Sequence, residues 1–131
     1  MDVLIIPEAE REIAALRAFR PGAGTWGALV GRRRGPRFFV EKVIPAGNPG
    51  TAPDGRLLAE LEKIWPDRVI GVAAVRPDAA FRRTLLGPAW YGRILLRTAG
   101  PAGSPVVEAF VVEFERKFLL AALPVAAKAK E

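Results

Sequence analysis

The chain of 131 residues has no histidine and no cysteine, and Ser104 is its one serine. Without histidine it lacks the usual general base near neutral pH and the commonest metal ligand. Without cysteine it lacks a strong nucleophile and a soft metal ligand, and its stability must come from packing rather than disulfides. Ser104 lies in Ala102-Gly103-Ser104-Pro105, not in a Gly-x-Ser-x-Gly elbow, and no histidine is there to activate it. What remains for chemistry is carboxylates, arginine, lysine, four threonines and Tyr91. A hydrolase built from that set would need paired carboxylates in a cleft, so composition directs the reading toward binding or structure.

Negative charge is also in short supply. The formal net charge is +6, and fifteen of the twenty cationic residues are arginine. Such a surplus suits an anionic partner, nucleic acid or an acidic protein surface. It also accompanies the rise in Ala, Gly and Pro that a GC-rich coding sequence produces. The one concentrated patch, Arg32-Arg33-Arg34-Gly35-Pro36-Arg37, lies between two apolar runs and reads as a hairpin tip. Long apolar runs are missing too: none approaches the roughly 20 residues that cross a bilayer. The start, Met1 to Pro7, has neither the basic head nor the apolar stretch of a signal peptide. A cytoplasmic protein without membrane contact is expected.

The periodicities that are present alternate between two kinds. Val3–Ile6 is a short β-like run, and the acidic Glu8, Glu10 and Glu12 open a helix with Ala9, Ile13 and Leu16 on one face. Thr25–Gly31 and Arg37–Pro45 read as strands of a hairpin, followed by a Gly/Pro loop over Ala46–Pro53. A second helix is expected over Asp54–Trp65, and Arg68–Val75 reads as a strand buried on both faces. Asp78–Leu86 suggests a short helical turn, and Tyr91–Thr98 and Val106–Phe114 two further strands. Phe118–Ala127 carries more apolar surface than a tail needs, and is expected to pack back on the domain or to form a dimer contact. One domain over residues 1–123 with a tail at 124–131 is the expected organisation, of α+β (mixed α/β) class.

Several constellations carry little. Gly24-Thr25-Trp26-Gly27-Ala28-Leu29-Val30-Gly31 lacks the Gly-Lys-Ser/Thr ending of a phosphate loop and precedes a strand rather than a helix. Its Gly27 and Gly31 are read as points of close packing. Glu60/Glu62 and Glu113/Glu115 read as solvated faces. Phe38-Phe39 beside the arginine turn, and Trp90-Tyr91 after Arg82-Arg83, interleave aromatics with cations as single-strand nucleic-acid binders do. That gives one functional expectation: a nucleic-acid-associated protein using the Arg32–Arg37 turn.

Val69-Ile70-Gly71-Val72-Ala73-Ala74-Val75-Arg76-Pro77 is more specific. It resembles the metal-binding strand of the JAB/MPN (JAMM) domain family, in which Val-Val-Gly leads into His-Ser/Thr-His-Pro. In that family the two histidines and an Asp of a Ser-x-x-Asp element hold zinc, and a Glu before a Gly-x-x-x-Gly strand is the base. The resemblance runs over about residues 3–115 in family order. It implies a central mixed β-sheet flanked by two main helices. Carried over residue by residue, the histidine positions fall on Ala74 and Arg76, the Ser/Thr between them on Val75, and Pro77 is retained. The serine position falls on Thr84, the aspartate on Gly87 and the glutamate on Gly24. Ala and Gly offer no ligand and Arg repels a dication, so no zinc site can be rebuilt and no cofactor is expected.

The resemblance therefore implies a metal-free pseudoenzyme that serves as an interaction or scaffold module. Its expected partner is another MPN-like subunit or a second copy of itself. Arg76 either fills the vacated pocket by pairing with a carboxylate, or joins Arg82 and Arg83 in an anion-accepting cleft. Arg32, Arg33 and Arg34 are the other candidate contacts.

Overall fold

The computed structural model describes residues 1–19, 25–45, 53–99 and 106–126. Its strands are β1 (Asp2–Ile5), β2 (Thr25–Arg34), β3 (Arg37–Pro45), β4 (Val69–Val75), β5 (Ile94–Ala99), β6 (Val106–Glu115) and β7 (Lys117–Leu123). The helices are α1 (Pro7–Phe19), α2 (Gly55–Ile64) and α3 (Ala79–Leu85), with a 3-10 turn at Pro88–Trp90. The strands form one mixed sheet in the order β1-β3-β2-β4-β5-β6-β7. Beyond β7 the chain meets β1 again: Val3 N donates to Pro124 O at 3.0 Å, and Ala126 N donates to Val3 O at 2.8 Å. The sheet therefore curls into a half-barrel whose two edges are linked at one end.

This corrects the expectation of a central sheet flanked by two main helices on the MPN plan. Seven strands carry more of the chain than the helices do, and a third helix, α3, contributes with α2 to the same core. The Lys117–Leu123 segment supplies the extra strand. It is apolar on both faces, so the alternation that marks a half-solvated strand is missing from its sequence.

The two faces have separate cores. Ala9, Ile13 and Leu16 of α1 are buried, and Ala9 and Ile13 pack with Val3, Leu29, Phe38, Val40, Ala73, Ile94 and Leu96. Glu12 Oε1 ties α1 to β3 by accepting from Val43 N at 3.1 Å. On the other face Leu58, Phe81, Leu85 and Trp90 cover Trp26, Val72, Ala74, Leu95 and Val112. Every residue of β4 is buried, which explains its unbroken apolar run.

Two glycines set how closely the strands approach. A Cβ on Gly31 would lie 1.9 Å from Phe39 O, and one on Gly71 would lie 2.0 Å from Ile94 O. Gly31 sits where the β2–β3 register shifts. Arg68 secures that shift: its carbonyl accepts from Gly31 N at 2.9 Å, its Nε donates to Gly31 O at 2.7 Å, and its Nη2 pairs with Glu41.

Candidate functional site

β4 ends at Val75, and the chain then bends sharply. Arg76 takes φ +49°, a left-handed conformation that a side chain with a Cβ rarely adopts. Pro77 follows, and Asp78 caps α3 by accepting from Phe81 N at 2.8 Å. Across the end of the sheet, register aligns four residues on neighbouring strands: Trp26, Ala74, Arg97 and Glu108. Side chains on neighbouring paired strands share a face, so this row looks toward α3. Trp26 meets Phe81 edge to face, with ring centroids 6.2 Å apart. Arg97 Nη2 donates to Glu108 Oε1 at 2.6 Å, and its guanidinium lies over Phe110 at 5.3 Å.

The next row lies on the opposite face. Val75 is flanked by Thr25 and Thr98, both buried. Thr98 Oγ1 has no hydrogen-bond partner among the described residues.

The positions inferred from the resemblance are partly gathered here. Ala74, Val75, Arg76 and Pro77 are consecutive, and Ala74 is enclosed between Trp26 and Arg97. Thr84, the penultimate residue of α3, donates its hydroxyl back to Phe81 O at 2.6 Å. Gly87 lies between α3 and the 3-10 turn, and space is open where its Cβ would be. Gly24 lies outside the described residues, as does Ser104.

Arg76 does not fill a pocket. It is exposed, and it makes no hydrogen bond or ion pair with a described residue. Arg82 Nη1 and Arg83 Nε each reach a backbone carbonyl, Pro77 O and Ala79 O, at 3.4 Å. Both therefore stay on the short segment that carries Arg76.

The arginine turn is organised differently. Arg32, Arg33 and Arg34 belong to β2 rather than to the turn, which is Gly35-Pro36 with Gly35 at φ +58°. Arg32 faces Glu41 at 3.6 Å, Arg33 lies over the Phe38 ring at 5.2 Å, and Arg37 pairs with Asp2 through two bonds of 2.8 and 2.7 Å. Arg34 alone of the four makes no hydrogen bond, ion pair or ring contact among the described residues, and it is exposed. Phe38 and Trp90 are core residues; Trp90 Nε1 donates to Pro53 O at 2.6 Å. Tyr91 is exposed, but its ring meets Phe118 rather than Arg82 or Arg83.

Sequence reasoning missed Arg97, Glu108, Trp26 and Thr98. The first pair was available in principle, because opposite charges at facing positions of a β5–β6 hairpin are a recognisable cross-strand signal. Trp26 and Thr98 needed the strand order, which no local pattern supplies.

Among the described residues there is no group of three or more acidic side chains that could hold a metal ion. No described helix is long and apolar enough to cross a membrane. No protein-family model matches the chain, and no curated protein sequence matches it. The fold itself has a counterpart: the solution structure of a protein from Desulfitobacterium hafniense superposes with a TM-score of 0.66 at 19% identity, covering 96% of this chain and 94% of that one.

Proposed function

We propose that the protein is a non-catalytic interaction module that receives an acidic segment of a protein partner at the carboxyl end of β4. The observation that carries this reading is the state of Arg76: exposed, unpaired among the described residues, and held in a left-handed backbone. A strained residue persists only where its surroundings over-determine it, and such residues cluster where a protein binds or reacts. A free guanidinium offers a carboxylate two parallel donors. Arg82 and Arg83 lie on the same short segment and add positive potential.

Six carboxylates support a role without catalysis, because each has a structural task. Asp54 and Asp78 cap helices, and Glu12 holds Val43 N. Glu41, Glu62 and Glu108 each hold an arginine.

Calorimetric titration with a glutamate-rich peptide bearing a free C-terminus tests the reading. Binding should weaken as salt rises, and Arg76→Ala should remove it while the thermal midpoint stays put. Equal binding by wild type and variant would overturn the assignment to Arg76. Metal-dependent cleavage of an isopeptide bond would overturn the absence of catalysis.

A further inference from the structure

β7 is an open edge. Its inner side pairs with β6 from Ala109↔Leu123 to Phe114↔Phe118 without a register shift. The direction of its outer backbone groups follows from two sets of bonds. Val112 uses its own groups toward the start of β5: Gly92 N donates to Val112 O, and Val112 N donates to Arg93 O, both at 2.9 Å. Leu120, which faces Val112 on β7, therefore points its N–H and C=O away from β6. The same parity reappears at Pro124 and Ala126, whose backbone groups reach outward to Val3. Phe118, Leu120 and Ala122 thus present three N–H and three C=O groups along a free stretch. The Arg116 turn bounds it at one end and β1 at the other.

Edges of this kind are normally blunted by a charge, a proline or a bulge. Phe118-Leu119-Leu120-Ala121-Ala122 has none of these. Instead, the five residues are self-complementary in size about Leu120. In an antiparallel pairing with a second copy, Phe118 faces Ala122 of the other strand, Leu119 faces Ala121, and Leu120 faces itself. The hydrogen-bond parity allows this register, since the outward residues Phe118, Leu120 and Ala122 pair with one another. Charge agrees as well: the cationic Arg116 and Lys117 of the two copies fall at opposite ends, whereas a parallel pairing would set them side by side. Ala122 is exposed and small, and Phe110 lies beside it on β6. The facing Phe118 ring, already against Phe114 at 4.9 Å, would fill that gap.

We infer that two copies of this chain join through their β7 edges, antiparallel about Leu120, into one continuous sheet. This surface is three strands from Arg76, so it stands or falls separately from the acidic-partner reading.

Sedimentation equilibrium across a wide concentration range, with amide exchange on the same samples, tests it. Wild type should sediment as a dimer at the concentrated end. There, the amides of Phe118, Leu120 and Ala122 should be protected, and on dilution those three alone should lose protection. Ala122→Lys, at an exposed site, should keep its thermal midpoint and raise the dimer dissociation constant at least about tenfold. Ala122→Phe should dissociate the dimer by setting Phe against Phe, and adding Phe118→Ala should restore it by regenerating the size match. A wild type monomeric throughout would overturn the inference. A dimer that Ala122→Lys leaves intact, or in which those three amides exchange freely, would do the same.

Discussion

Arg93, at the turn into β5, donates its Nη2 to Glu62 Oε1 on α2 at 2.6 Å. The same guanidinium donates Nε to Val69 O and Nη1 to Ala89 O, each at 3.0 Å. One planar group thus joins α2, the start of β4 and the 3-10 turn, and the pair is largely shielded, with each side chain 28% exposed. Arg93→Ala should lower unfolding free energy by about 2 kcal/mol, because it leaves a carboxylate and two carbonyls short of a donor. Arg93→Lys should recover only part, since a single ammonium cannot serve three directions. Urea denaturation measures both, and a loss confined to a few tenths would show the cluster to be solvated rather than structural.

Gly71 and Gly87 make opposite predictions from the same substitution. A methyl on Gly71 has no room beside Ile94 O, and that oxygen belongs to the backbone of a central strand. Gly71→Ala should cost about 3 kcal/mol or prevent folding, through forced displacement of β5. At Gly87 space is open and the backbone is extended, so Gly87→Ala should stay within about 0.5 kcal/mol of wild type. Chemical denaturation of the two variants side by side decides the point.

How much of this could be read from the residues follows the range of the interactions. The β2–β3 hairpin, the buried β4 and the second helix, expected over Asp54–Trp65 and observed over Gly55–Ile64, carry local signals, and all were legible. β7 was not, because Phe118–Leu123 lacks alternation and Pro124 looked like the end of the domain. Tyr91 reads as strand by propensity, yet Gly92 at φ +80° delays β5 until Ile94. At the site, Ala74 to Pro77 fell together simply because they are consecutive. That the Arg97–Glu108 pair flanks Ala74 depends on β4 and β5 lying parallel, a long-range fact. The same limit hid the state of Arg76: its sequence neighbours do not reveal that no described carboxylate reaches it.

Asp2 gives a pH dependence of definite sign. The Arg37 guanidinium bonded to it holds its carboxyl below the ordinary value of 3.8. A carboxyl whose pKa is lower in the folded state stabilises the fold at pH above the unfolded value. That contribution is lost as pH falls through the folded value. Asp2→Asn should therefore be less stable than wild type at neutral pH, and the difference should close as pH falls through the lowered value of the folded carboxyl. Thermal midpoints of both proteins from neutral to strongly acid pH follow it. A gap that persists into the acid range would mean that something other than the carboxylate's charge holds Arg37.

Arg76 and Arg116 share a backbone state, at φ +49° and +64°. For a residue with a Cβ, the left-handed region costs about 1 kcal/mol or more, and glycine escapes that cost while gaining freedom in the unfolded chain. Arg76→Gly and Arg116→Gly should each therefore raise stability by about 0.5–1 kcal/mol, a gain readable as a higher denaturation midpoint. Their effects on acidic-peptide binding should separate. Arg116 lies at the β6–β7 turn, away from the end of β4, and its replacement should leave binding intact. Arg76→Gly should remove it, which makes the more stable protein the inactive one. That combination distinguishes a strained residue kept for contact from one merely tolerated in a turn. If Arg76→Gly gains stability and still binds the peptide as wild type does, the strain at Arg76 has no part in recognition.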